Sequence, residues 1–229
     1  MSQLIDNLNI IESVKTDIKA ALENKGVDMT GVSFPGYASK IGEISGGGGW
    51  DQKSITEGNM EIINIDNSAS FVTSNAFNGK QNIKTVNLPY ATSVGKNAFQ
   101  SCTSLNQVSL PVCSIIMDYA FDNCRSLSQV SLPVCTSIMN DSFQNCRSLS
   151  QVSLPMCNTI GGNAFQGCTS LSIITLGYSS VCSLNGSNVF NSTQITSSTG
   201  SIYVPTSLVD AYKSATNWSY FSTQIFPIE

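Results

Sequence analysis

Phe121-Asp122-Asn123-Cys124-Arg125-Ser126-Leu127-Ser128-Gln129-Val130-Ser131-Leu132-Pro133 recurs 22 residues later as Phe143-Gln144-Asn145-Cys146-Arg147-Ser148-Leu149-Ser150-Gln151-Val152-Ser153-Leu154-Pro155. The same pattern opens at Phe99 and Phe165, and more loosely at Phe77. Seven cysteines fall at half the interval: Cys102, Cys113, Cys124, Cys135, Cys146, Cys157 and Cys168. A strict period of this length is the signature of a solenoid, in which each repeat is one coil stacked on the next.

Each coil reads as two segments. Gln107 to Leu110 alternates polar and apolar residues, as a half-buried strand does. Pro89, Pro111, Pro133 and Pro155 end this strand because they lack a ladder donor. A second apolar edge starts at Val94, Ile116, Ile138 and Ile160 and runs to the phenylalanine. Stacking at about 4.8 Å predicts a column of five Phe rings and two columns of cysteine. End coils expose apolar faces and strand edges, so lids are expected at both ends. The first is residues 50–70, with Ile62, Ile63 and Ile65 at its centre. The second is residues 177–229. There, Ile202 to Pro205 reads as a last strand and Thr206 or Ser207 as the cap of a helix reaching Ser214. Leu208, Val209 and Tyr212 are expected to face inward, and Trp218, Tyr220 and Phe221 to cover the end.

Leu4, Leu8, Ile11, Ile18 and Leu22 predict a helix over 4–24 with a coiled-coil-like seam, where Lys15 takes the one polar seam position. Such a helix is marginal alone, so it folds back on its own domain or self-associates. A short helix over 35–44 follows, then the flexible joint Gly46 to Gly49. The expected fold is an α+β repeat: a helical anchor or oligomerisation segment (1–45), a glycine linker (46–49), an N-terminal cap (50–70), repeats (71–176) and a C-terminal cap (177–229).

Charged residues make up 11% of the chain, below the usual quarter, and Ser, Thr and Asn replace them on the surface. With a net charge of −4 and no Lys/Arg stripe, a nucleic-acid partner is not expected. No apolar run approaches the roughly 20 residues of a spanning helix, so membrane insertion is not expected either. The opening lacks the basic start and apolar block of an export signal, which points to assembly in a cytoplasm.

The cysteines admit four readings. There is no histidine and no close cysteine pair, which argues against zinc and against a Cys–His nucleophile. Buried free thiols fit a tight coil and a reducing compartment. Disulfides within a column remain the alternative, since the coil spacing lies in their Cα range. No catalytic, cofactor-binding or metal-binding residues emerge. Asp118 and Asp141 read as surface charges, and Arg125 and Arg147 as solvated decoration or as a pair around an anion. The residues that change between coils are Gly95-Lys96-Asn97, Met117-Asp118-Tyr119, Met139-Asn140-Asp141 and Gly161-Gly162-Asn163. On a constant scaffold they either carry a specific surface or are unconstrained. The candidate ligand face is Met117, Asp118, Tyr119, Arg125, Met139, Asn140, Asp141 and Arg147.

The Ala-Phe-x-x-Cys-x-x-Leu-x-x-Val-x-Leu-Pro unit over 71–176 resembles the BspA-type, or Treponema pallidum-type, leucine-rich repeats. The stretch Ile202 to Lys213 with Trp218 resembles the end cap these proteins often carry. The resemblance implies a non-enzymatic protein of adhesion and ligand recognition, found on bacterial surfaces and in bacteriophages of gut bacteria. Leu4-Ile5-Asp6, Lys25-Gly26-Val27 and Phe34-Pro35-Gly36-Tyr37-Ala38-x-Lys40-Ile41 resemble the openings of phage tail and fibre proteins. Together the two resemblances imply a phage virion protein assembled in the host cytoplasm. Residues 1–45 anchor it to other virion proteins as a homotrimer, and the repeats bind a host-surface glycan or protein. The alternative is a bacterial cell-surface adhesin.

Overall fold

Pro89, Pro111, Pro133 and Pro155, and a left-handed residue on either side of each phenylalanine from Phe77 to Phe165, keep the strands short and bend the chain into coils. The computed structural model describes residues 62–64, 71–177 and 180–228. The chain divides into two units, Met1–Gly58 and Asn59–Glu229. The expected helices at 4–24 and 35–44, the seam Leu4, Leu8, Ile11, Ile18 and Leu22, and the glycine linker lie outside the described residues. So does most of the expected cap at 50–70.

In chain order the strands are β1 (Ile62–Asn64), β2 (Phe71–Val72), β3 (Thr85–Asn87), β4 (Ser93–Val94), β5 (Gln107–Ser109), β6 (Ile115–Ile116), β7 (Gln129–Ser131), β8 (Ser137–Ile138), β9 (Gln151–Leu154), β10 (Thr159–Ile160), β11 (Ile173–Leu176), β12 (Ser183–Leu184), β13 (Ser201–Val204) and β14 (Ile225–Pro227). Every pairing among them is parallel. One face is a six-stranded sheet, β2-β4-β6-β8-β10-β12. The other is two four-stranded sheets, β1-β3-β5-β7 and β9-β11-β13-β14. Val86, Val108 and Val130 are register partners. Val86 and Val108 point into the core, with Gln107 and Ser109 outward. Helix is confined to the C-terminal lid among the described residues. The second apolar edge is extended for only two residues before it turns.

Two columns of left-handed residues make the turns on either side of the phenylalanines: Asn75, Asn97, Tyr119, Asp141 and Asn163, then Gly79, Ser101, Asn123, Asn145 and Gly167. Asn, Asp and Gly enter this region at least cost. The phenylalanines stack as the period requires, with centroids 4.9–5.5 Å apart from Phe77 to Phe165. Burying each ring contributes about 2–3 kcal/mol.

The column has six rings, not five. Phe190 stacks on Phe165 at 6.0 Å. It lies 25 residues on rather than 22, and Cys182 follows Cys157 by the same 25. β12 pairs with β10 at an offset of 24, two beyond the period, and one more residue is added before Phe190. The 177–229 segment therefore begins with a further coil.

All eight cysteines are free and buried. Cys102, Cys124, Cys146 and Cys168 each donate to the carbonyl of the phenylalanine 25 residues earlier, at 3.0–3.2 Å. Their size fits the coil, and their S–H spends itself on the neighbouring coil. Cys113, Cys135 and Cys157 instead donate within their own turn, to Ile115, Ser137 and Thr159.

The lid closes on Cys182. The Cys182 N–H donates to the Tyr212 hydroxyl at 2.9 Å, and the Trp218 indole N–H donates to the Cys182 carbonyl at 2.6 Å. Trp218 and Phe221 cover the exposed face of Phe190. Three expectations for the lid need correction. Tyr220 is 72% exposed and covers nothing, because its neighbour Phe221 takes the inward place. Leu208 and Val209 are only half-buried, since α1 (Val209–Ser214) turns Tyr212 inward instead. Neither Thr206 nor Ser207 caps that helix, which continues from a 3-10 turn over Thr206–Leu208. Thr206 Oγ1 donates to the Ile228 carbonyl.

Candidate recognition edge around Tyr119

The left-handed column is mainly an amide ladder. The Asn97 side-chain amide donates to Asn75 Oδ1 at 3.1 Å, and that of Asn188 donates to Asn163 Oδ1. Tyr119 interrupts it at φ +57°. Its backbone N–H keeps the bond of its equivalents, to the Asn140 carbonyl at 3.1 Å. The solenoid thus imposes on a bulky residue a conformation that costs non-glycine residues about 1–2 kcal/mol.

The Tyr119 ring is half-exposed. The Lys96 ammonium lies 6.0 Å from its centroid, at the outer limit of a cation–π contact. Asp141 lies on its other side, and its negative charge holds the phenol above its ordinary value, with smaller contributions from Asp118 and Asp122. Asp141 is nearly buried and also accepts from Gln144 Nε2 at 3.1 Å. Asp118 Oδ1 accepts from the Asn140 backbone N–H at 3.1 Å, and Asn140 Oδ1 accepts from the Gly162 N–H at 2.8 Å. A side chain at Gly161 would meet the Asn140 backbone nitrogen at 2.5 Å, so glycine there lets the Asn140 turn lie close. Met117 is exposed beside the ring and Met139 is half-buried.

Six of the eight expected ligand-face residues thus fall on one edge of two adjacent coils. Asp118 and Asp141 are not isolated surface charges: Asp118 accepts from the next coil and Asp141 from Gln144 of its own. Arg125 and Arg147 project from a different turn, beyond the Phe and Cys columns, and both are exposed. Sequence reasoning missed Asp122, which is 5% exposed and accepts from Gln100 Nε2 at 3.0 Å and from Asn123 Nδ2 at 2.9 Å. Its signal was present: the equivalent positions 78, 100, 144 and 166 are all amides. Lys96 was read only as one of the changing residues.

Among the described residues, no three His, Cys, Asp or Glu side chains converge on a metal position. Nor is any described helix long and apolar enough to cross a membrane. The edge offers an aromatic face, carboxylate acceptors and one ammonium.

No curated protein matches the chain. Among solved structures, a leucine-rich repeat protein from Bacteroides ovatus is similar at 23% identity and TM-score 0.58, over 74% of this chain and 42% of that one. A leucine-rich cell surface protein from Faecalibacterium prausnitzii is similar at 22% identity and TM-score 0.52, over 72% and 46%. The T. pallidum leucine-rich repeat protein is 31% identical over 52% of this chain and 60% of its own, with a TM-score of 0.47. The chain thus spans 42–60% of the length of these structures. The BspA-type leucine-rich repeat region matches in six copies, over residues 52–156 and 92–219. The chain belongs to the BspA-type leucine-rich repeat family.

Proposed function

We propose that this chain is a non-catalytic recognition protein, displayed at a bacterial surface, that binds its target through the repeat edge around Tyr119. The observation that carries the reading is Tyr119 itself. A turn that holds Asn or Asp in the other coils here holds an aromatic ring, half-exposed and flanked by Lys96 and Asp141. Strain of this kind persists where a scaffold over-determines it, and it clusters at binding sites. The ring offers a stacking face. Asp118 and Asp141 offer acceptors for the hydroxyls of a glycan or the donors of a protein.

The family match and the cell-surface relative support the surface placement. Placement in a phage virion rests on residues 4–41, which resemble tail-protein openings. On either placement, residues 1–45 associate as a trimer through Leu4, Leu8, Ile11, Ile18 and Leu22. Three linked sites then raise avidity without new contacts. Deleting 1–45 should leave a monomeric solenoid by light scattering.

Two measurements test the reading. The full chain is applied to a glycan array and to whole bacteria, as wild type and as Tyr119→Asn. Binding by wild type that Tyr119→Asn loses supports the edge, and equal binding by both sinks it. Antibodies to the repeats should label cell envelopes. Label confined to phage particles reverses the placement.

A further inference from the structure

A cleft of about 310 Å³ opens between the last coil and the lid. Its floor is apolar: Ile195 and Phe221 are buried there. One wall is the loop from Ile195 to Ser198, and the other is the 3-10 segment that carries Tyr220 and Gln224. The loop exists because the final coil is long. Ile174 pairs with Ile202, 28 residues on rather than 22.

Gln224 is the informative residue. It is 7% exposed and lines the cleft. Its side-chain amide has no hydrogen-bond partner among the described residues. No polar side-chain atom there is both sealed from solvent and unpaired. The little of Gln224 that stays accessible is therefore its amide, open to the cleft. An accessible amide with no protein partner among the described residues is free to hydrogen bond a ligand. Thr196 spends its hydroxyl on the carbonyls of Phe190 and Thr193. Ser187 and Thr223 line the rim, and their hydroxyls have no hydrogen-bond partner among the described residues. Tyr220 stands beside them, 72% exposed.

We infer that this cleft is a binding site for one neutral sugar residue. An amide presents a donor and an acceptor side by side, which matches neighbouring hydroxyls of a pyranose. The rim hydroxyls extend that pairing. Tyr220 flanks the cleft as an exposed aromatic platform for the C–H face of the ring. No charged side chain lines the cleft, so a carboxylate, phosphate or ammonium finds no compensation there. The volume sits at the lower end of small-molecule sites, about 300–1,000 Å³, which suits a single residue. The site is independent of the Tyr119 edge.

The test uses the full chain and saturation-transfer NMR. The probes are the methyl glycosides of glucose, galactose, rhamnose and N-acetylglucosamine, with methyl glucuronide as the charged comparison. At least one neutral glycoside should bind. Gln224→Leu and Tyr220→Ala should each weaken it tenfold or more. Gln224→Leu should melt no lower than wild type, since the amide holds nothing in the fold. The inference is overturned if no neutral glycoside binds, or if methyl glucuronide binds as well as the neutral probes. Binding that survives Gln224→Leu overturns it too, as does a Gln224→Leu protein of lowered melting temperature.

Discussion

Replacing Tyr119 with asparagine should make the protein more stable and less able to bind. The left-handed backbone at φ +57° costs tyrosine about 1–2 kcal/mol, and asparagine pays less of it. An amide at 119 also continues the ladder that Asn97 already makes with Asn75. Against this stands the loss of the Lys96 contact. At 6.0 Å and exposed, it is worth no more than about 0.5–1 kcal/mol. The balance favours asparagine by about 0.5–1 kcal/mol. For a chain of this size each kcal/mol moves the melting temperature by about 2–4 °C. Thermal melts followed by circular dichroism should thus rise by about 1–4 °C. Tyr119→Ala supplies the control, because alanine loses the ring yet keeps most of the conformational cost. It should melt below Tyr119→Asn by about 1 kcal/mol. If Tyr119→Asn melts below wild type, or no higher than Tyr119→Ala, the tyrosine is a packing residue and the argument for the edge fails.

Other parts of the scaffold give sharper losses. Phe121→Ala removes a ring stacked on both sides and should cost about 3–5 kcal/mol by urea denaturation. Tyr212→Phe strands the buried Cys182 N–H and should cost about 1–3 kcal/mol; hydrogen exchange should quicken across the lid ahead of the repeats. Burial pushes the Cys102 and Cys135 thiols up to about 12 and Cys113 to about 11, from 9.0. The folded state favours the neutral thiols, so their contribution is intact below pH 9 and is lost progressively as pH rises from 9 to 11 or 12. Each pH unit above 9 should then cost up to about 1.4 kcal/mol per thiol. Melting temperatures that stay flat from pH 9 to 11 contradict this. At pH 8 the native protein should resist alkylation by iodoacetamide, and the unfolded protein should take it up at all eight cysteines.

The repeats were legible because stacking converts a period into contacts. Once Phe121 and Phe143 align, the positions of Val130, Leu132 and Cys124 in the coil follow. Phe190 and Cys182 escaped because three inserted residues break the period, and a coil can bulge outward without losing its rung. Tyr119 showed as a changing position, but its left-handed backbone did not. That followed only from alignment with Asn97 and Asn163, whose preference for such turns is physical. The lid was the least legible part. Tyr220 and Phe221 are adjacent aromatics, and only the edge-on contact of Phe221 with Phe190 decides which turns inward. The Gln224 cleft left no trace in the sequence, because its walls come from two segments that meet only in the fold.

The near-identity of the coils that begin at Phe121 and Phe143 has a genetic consequence. Each rung accepts the next through the same rings, thiols and carbonyls, so the stack has no intrinsic length. A recombination event that duplicates or removes one whole coil keeps every remaining rung in register. Copying the coil that begins at Phe143 would lengthen the protein while leaving Lys96, Tyr119 and Asp141 together as a single copy. Reach and binding specificity therefore sit on separable stretches of the gene, and lineages can vary one without disturbing the other.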